Sequence, residues 1–141
     1  MYEDVLLPVA TGEGEAEDDP ALEHALDLAE RYDATLHALS VVDPTVIEPL
    51  AIDTEGVREA MEKRAEETVE TVADHAHERG IDVETRIGHG PPAGVITDYA
   101  ENVDAVVMAT HGREGLKHAL LGSVTERVVR TSPAPVLTVP R

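Results

Sequence analysis

Two hydrophobic periodicities alternate along the chain. Val5-Leu6-Leu7 is a short apolar stretch closed by Pro8, and Thr35 to Val42 alternates and then runs apolar until Asp43-Pro44. Ala105 to Ala109 carries no polar residue, and Pro135-Val136-Leu137-Thr138-Val139 is stopped by Pro140. These read as strands, Ala105 to Ala109 as a buried one because nothing polar interrupts it. Ile81 to Ile87 instead alternates strictly, which predicts a half-exposed strand. Between them the period changes to that of a helix. Leu22, Ala25, Leu26, Ala29 and Tyr32 recur at helical spacing behind Asp19, a plausible N-cap, and Pro20. Val57, Met61, Ala65, Val69, Val72 and Ala76 line one side of a long helix from about Asp53 to Arg79, which Gly80 stops. Val95, Ile96, Tyr99 and Ala100 give the apolar side of a short third helix, and Ser123 to Arg130 forms a fourth.

The joints between these elements are also legible. Thr11 to Asp19 reads as a loop in which five acids occupy the seven positions from Glu13 to Asp19. Thr45 to Leu50, with Pro44 before it and Pro49 within it, is expected to be a mobile or partner-facing connector, and Gly88-His89-Gly90-Pro91-Pro92 a tight turn. Strand and helix in this alternation imply right-handed βαβ units: an α/β fold, a parallel sheet with helices on both faces. Ligands of such sheets bind beyond the carboxyl ends of the strands, where the strand order reverses.

Composition narrows the functional classes. At 141 residues the chain is expected to be one domain. Its 29 acids against 11 Lys and Arg give a formal net charge of -18, with Lys63 and Lys117 its only lysines. Such a field opposes nucleic acid and anionic membrane as partners. A hydrophobic content of 42% arranged periodically argues for a folded protein under an acidic coat, which resembles proteins of salt-loving archaea. No cysteine is present, so disulfides, thiolate metal sites and cysteine nucleophiles are excluded. No long apolar run and no leader pattern occurs, since Asp4 and Pro8 interrupt the amino terminus, and a cytoplasmic protein is expected.

The candidate chemistry sits after the Ala105 to Ala109 strand. Thr110-His111-Gly112-Arg113-Glu114-Gly115 is a glycine-bearing loop, and Gly122-Ser123 stands immediately before a helical pattern. Backbone N–H groups at such a helix start can approach an anion, and the helix dipole favours negative charge there. No Gly-Lys-Ser/Thr, Gly-x-Ser-x-Gly, His-Glu-x-x-His or Asp-x-Asp-x-Asp-Gly motif is present, so no catalytic residue is assigned. His111 reads as a structural loop residue rather than a base. His75 and His77 point to different helix faces, and His37 reads as a strand residue because no acid or histidine stands near it at a ligand spacing.

Gly112, nine residues and then Gly122-Ser123 is similar to the end of the glycine signature of ATP-binding universal stress proteins. Ser123 to Val139 resembles that family's closing helix and last strand, and Met1 to Pro8 its first strand, so the resemblance covers essentially the whole chain. It implies a Rossmann-like, open, twisted, parallel five-stranded sheet of order 3-2-1-4-5. It also implies a crevice lined by Pro8, Val9, Val41, Met108, Ala109, His111, Gly112, Arg113, Gly122, Ser123 and Val124. In that crevice ATP, with Mg²⁺, would lay its adenine against Val41, its ribose by Met108 and Ala109, and its phosphates on Gly122-Ser123. The resemblance further implies a homodimer through Val136, Leu137, Thr138 and Val139, acting as a stress-response or signalling module. The chain departs from the family pattern at two places: Ala10 stands where ATP-binding members have an acid, and Ala109 where they have a glycine. Besides nucleotide signalling, the residues leave open a slow Mg²⁺-dependent ATPase or nucleotide-processing enzyme, and an interaction dimer that binds no nucleotide.

Overall fold

A computed structural model describes residues 1–11, 15–44, 54–111 and 121–141. Five strands form one parallel sheet: β1 (Asp4–Pro8), β2 (Thr35–Val42), β3 (Val83–His89), β4 (Ala105–Ala109) and β5 (Val136–Val139). Their order is β3-β2-β1-β4-β5, as expected, so the chain runs to one edge and then returns to fill the other side of β1. The order reverses between β1 and β4.

Five helices accompany the described strands: α1 (Glu15–Asp18), α2 (Ala21–Tyr32), α3 (Thr54–Glu78), α4 (Pro92–Ala100) and α5 (Ser123–Thr131). The pleat sorts strand residues between two cores. Val5, Leu7, Val9, Leu36, Ala38 and Val107 face α2 and α3, where Leu22, Leu26, Val69 and Val72 meet them. Leu6, Leu39, Val106 and Met108 face α4 and α5, which contribute Ile96, Ala100 and Val128. Both faces of β1 and β4 are therefore buried, the condition that their uninterrupted apolar sequences predict. On the first face Arg79 reaches Glu23, Asp27 and Glu30 of α2 at 3.2, 3.8 and 3.0 Å, and so ties the end of α3 to its neighbour. Gly80, at φ 69°, ends α3 in a left-handed turn that any side chain would strain.

Three local expectations need correction. The acid-rich loop after β1 holds a short helix, Glu15–Asp18, whose Ala16 is buried in the core below α3. Burial of one small apolar residue outweighs the local turn preference. Asp19 does cap α2 in effect, its Oδ1 accepting the Ala21 amide at 2.8 Å, although the helix starts one residue later than the proline suggested. The third strand lies further along than its alternation indicated. Gly88 and His89 belong to β3, paired with Val41 and Val42, because β2 is long enough to continue the ladder past Ile87. The connector at 45–50 lies outside the described residues.

Candidate functional site

The two strands at the reversal part early. β1 and β4 share only the registered pairs Val5 with Ala105 and Leu6 with Val106, after which the strands separate toward their carboxyl ends. Val9 and Met108 are buried on the two sides of this parting. Val9 donates its amide to the Leu39 carbonyl at 2.8 Å, so Pro8 closes β1 without ending its association with β2. Val41, near the carboxyl end of β2, is half-buried and packs with the α4 and α5 core. Ala10 is exposed, and beside it the Thr11 hydroxyl meets the fully buried Ser40 hydroxyl at 2.6 Å.

Across the crevice β4 hands over to α5 through a compact set of hydrogen bonds. Gly122 donates its amide to the Thr110 carbonyl at 2.6 Å, and Thr110 donates its own amide to Val139 at 2.9 Å. The Thr125 hydroxyl donates to the Ala109 carbonyl at 2.9 Å in a buried setting. His111 is half-buried, its Nδ1 3.2 Å from the Thr110 hydroxyl, and its carbonyl accepts Arg141 Nε at 2.9 Å. The start of α5 thus lies directly against the end of β4. Gly122, not Ser123, is its N-cap, with extended backbone at φ -67° and ψ 162°, and no side chain caps it. Ser123 is the first helical residue and is exposed, while Val124 behind it packs into the core. The first amides of a helix have no acceptor within the helix, and the positive end of the helix dipole lies there.

Of the residues predicted from sequence, Pro8, Val9, Val41, Met108, Ala109, His111, Gly122, Ser123 and Val124 lie at the carboxyl ends of the strands or the start of α5. Gly112 and Arg113 lie outside the described residues. At the outer edge, Leu137 is 46% exposed, Val136 and Thr138 are half-buried, and Val139 is in the core of its own chain.

A second polar cluster lies at the opposite end of the sheet, where the sequence showed none. His37 in β2 is indeed a strand residue, but acids from distant segments reach it. Its Nε2 is 2.8 Å from Asp4 Oδ1, and its Nδ1 is 2.7 Å from the Tyr99 hydroxyl and 3.3 Å from Glu84 Oε2. Burial pushes the Tyr99 phenol above its ordinary value; Arg86, which also reaches the hydroxyl, opposes the shift, and Glu84 and Asp4 add to it. The register Asp4 with Thr35 and Leu36 with Val83 creates this cluster. Local spacing carries no trace of it. Among the described residues no group of three or more His, Asp or Glu side chains is arranged to hold a metal ion, and no helix is long and apolar enough to cross a membrane.

The family model described as the universal stress protein family matches residues 1–140. A universal stress protein of Methanocaldococcus jannaschii is 34% identical over 143 residues, spanning 99% of this chain and 82% of that protein. Among solved structures, the universal stress protein UspA from Lactobacillus plantarum superposes with a TM-score of 0.82 at 24% identity, over 98% of this chain and 97% of its own. The universal stress protein from Archaeoglobus fulgidus in complex with dAMP gives 0.69 at 18% identity, over 97% of each chain. Further neighbours of the same fold were solved with cAMP and with AMP. The structural likenesses carry the fold, and the family match covers nearly the whole length. This chain belongs to the universal stress protein family.

Proposed function

We propose that the crevice between β1 and β4 binds an adenine nucleotide, ATP or AMP, and that the protein acts through this bound state as a cytoplasmic stress-response or signalling module. The observation that carries the reading is the start of α5, held against the end of β4 where the sheet reverses. That junction offers helix amides to a phosphate, near the half-buried Val41, whose apolar side chain suits a purine, and the backbone ends of β1 and β4 at Val9 and Met108. Gly112 and Arg113 would extend the phosphate contact, with His111 and Val124 bordering it. The residues fit the group with two differences from the family pattern: Ala10 supplies no carboxylate, so fewer polar contacts hold the nucleoside, and Ala109 places a methyl group where the pattern has a glycine. Mg²⁺ or high salt would offset the repulsion between a triphosphate and a chain of net charge -18. The neighbours solved with AMP, dAMP and cAMP support the ligand class. Among the described residues of the crevice no side-chain set calls for turnover, and the reading is of binding rather than catalysis.

Calorimetry of AMP, and of ATP with Mg²⁺, into the protein in molar KCl tests this. Micromolar binding that Gly122→Val abolishes is expected, since a side chain at the N-cap would project into the phosphate position. Absence of heat and of any thermal shift at millimolar ligand would overturn the reading.

The same reading includes a homodimer through β5. Among the described residues that strand pairs on one side only, and it exposes Leu137, a combination that favours pairing with a second copy. Light scattering at high salt should return the mass of a dimer, and Leu137→Lys that of a monomer. A monomeric wild type would refute the assembly and leave the nucleotide reading standing.

A further inference from the structure

Five helical threonines among the described residues have hydroxyl hydrogen bonds to backbone carbonyls, and one behaves differently. Thr68, Thr71 and Thr131 each donate to the carbonyl four residues earlier in their own helix, Arg64, Glu67 and Arg127. Thr97 donates within its own helix to Gly94, three residues earlier. These are the local bonds a helical threonine ordinarily makes. Thr125 stands in the first turn of α5, where the carbonyl four residues back precedes the helix. Its hydroxyl instead crosses 16 residues of sequence to Ala109, and the residue is 5% exposed.

The acceptor explains why a hydroxyl is needed there. Val106 and Thr110 donate their amides to β5, to the carbonyls of Pro135 and Val139, so strand alternation turns the Ala109 carbonyl toward β1. The registered pairing of β1 with β4 ended three residues earlier, at Leu6 with Val106. The parting of these strands opens the crevice and also leaves Ala109 without a ladder partner on that side. Thr125 supplies the missing donor. With the Gly122 amide on the next carbonyl, Thr110, the last carbonyl of β4 and the one just after it hold the N-cap and first turn of α5 in place.

We infer that Thr125 is a positioning residue for the anion-binding end of α5: its hydroxyl holds the helix amides in the orientation that a nucleotide phosphate requires. The inference rests on the nucleotide reading of the crevice, and it concerns a residue that lines the back of the junction rather than the ligand. α5 itself does not depend on the bond, because Val128 is fully buried and Val124 packs beside it. Loss of the hydroxyl should therefore loosen the amino end of the helix while leaving its middle seated.

The test compares Thr125→Val, which keeps the shape and removes the hydroxyl, with Thr125→Ser, which restores it. In molar KCl, AMP affinity should fall roughly ten- to a hundred-fold in the valine variant, the range that a small misplacement of binding groups produces, and should recover in the serine variant. Adenosine has no phosphate, and its affinity should change little; general loosening of the crevice would weaken both ligands. Amide hydrogen exchange without any nucleotide gives an independent reading: Gly122 should lose protection in the valine variant while Val107, in the middle of β4, keeps it. Equal AMP affinity in wild type and valine variant, unchanged protection of Gly122, or failure of serine to restore either would overturn the inference. If the wild type binds no nucleotide, the proposed function fails, and the exchange of Gly122 still decides whether Thr125 positions the helix end.

Discussion

Replacing Tyr99 by Phe tests the polar cluster at the amino end of the sheet. An ionised Asp4 can only accept, so Nε2 of His37 carries the hydrogen that bridges their 2.8 Å separation. A singly protonated ring then presents a lone pair at Nδ1, and the Tyr99 hydroxyl at 2.7 Å is the donor that meets it. Glu84, 3.3 Å from the same nitrogen, has no hydrogen to give. Phenylalanine would keep the edge-to-face contact between the two rings, 5.5 Å apart and inclined at 68°, and would remove only the donor. Orphaning a buried acceptor costs about 1–3 kcal/mol. The half-buried position of Tyr99 admits some water, which places the expected loss at about 1–2 kcal/mol. For a chain of this length that corresponds to a fall in Tm of about 3–7 °C. Urea unfolding followed by circular dichroism in molar KCl suits the measurement, since the chain has no tryptophan. Tyr32→Phe is the control, at a ring that meets Tyr2 edge-to-face and is 50% exposed. A Tyr99→Phe loss within about 0.5 kcal/mol of that control would refute the account of His37. The phenol adds a check in alkali. Its folded-state value is raised, so its contribution to stability is present below the ordinary value of about 10 and is lost as pH rises through the folded one. The wild type should therefore decline more steeply than Tyr99→Phe above about pH 10.

Other outcomes follow from the same geometry. A Cβ added at Gly88 would lie 2.5 Å from Val95 Cγ1, so Gly88→Ala should force α4 away from β3 and cost about 1–3 kcal/mol; Val95→Ala in the same chain should recover part of it in thermal melts. Asp104 accepts the amides of Glu3 and Asp4 at 2.8 and 3.0 Å, and these bonds hold its carboxyl below the usual carboxylate range. Its contribution is present above the ordinary value of about 4 and disappears as pH falls through the lower folded value, so Asp104→Asn should flatten the acid limb of a stability profile. Tm should climb as KCl rises from about 0.1 M to about 2 M, because counterions screen the repulsion within an acidic coat; a flat or falling curve would count against self-repulsion as the main electrostatic burden.

The sequence alone determined the order and type of the main elements. An uninterrupted apolar run such as Ala105 to Ala109 argues for burial on both faces, and the helical spacing from Val57 to Ala76 argues for an amphipathic helix. The junction of Gly122, Ser123 and a helix start was equally local, because the three adjoin in the chain. Tertiary structure decided what depends on register and on competing burial. Ala16 turned an acid-rich loop into a short helix by reaching the core, and β2 drew Gly88 and His89 into β3 by offering partners. His37 acquired Asp4, Glu84 and Tyr99 from 33, 47 and 62 residues away, distances at which spacing along the chain carries no information. Thr125 likewise read as an ordinary helical residue. Only the early parting of β1 and β4 left the Ala109 carbonyl in need of a donor, and only the packing of α5 over that gap brought the hydroxyl to it.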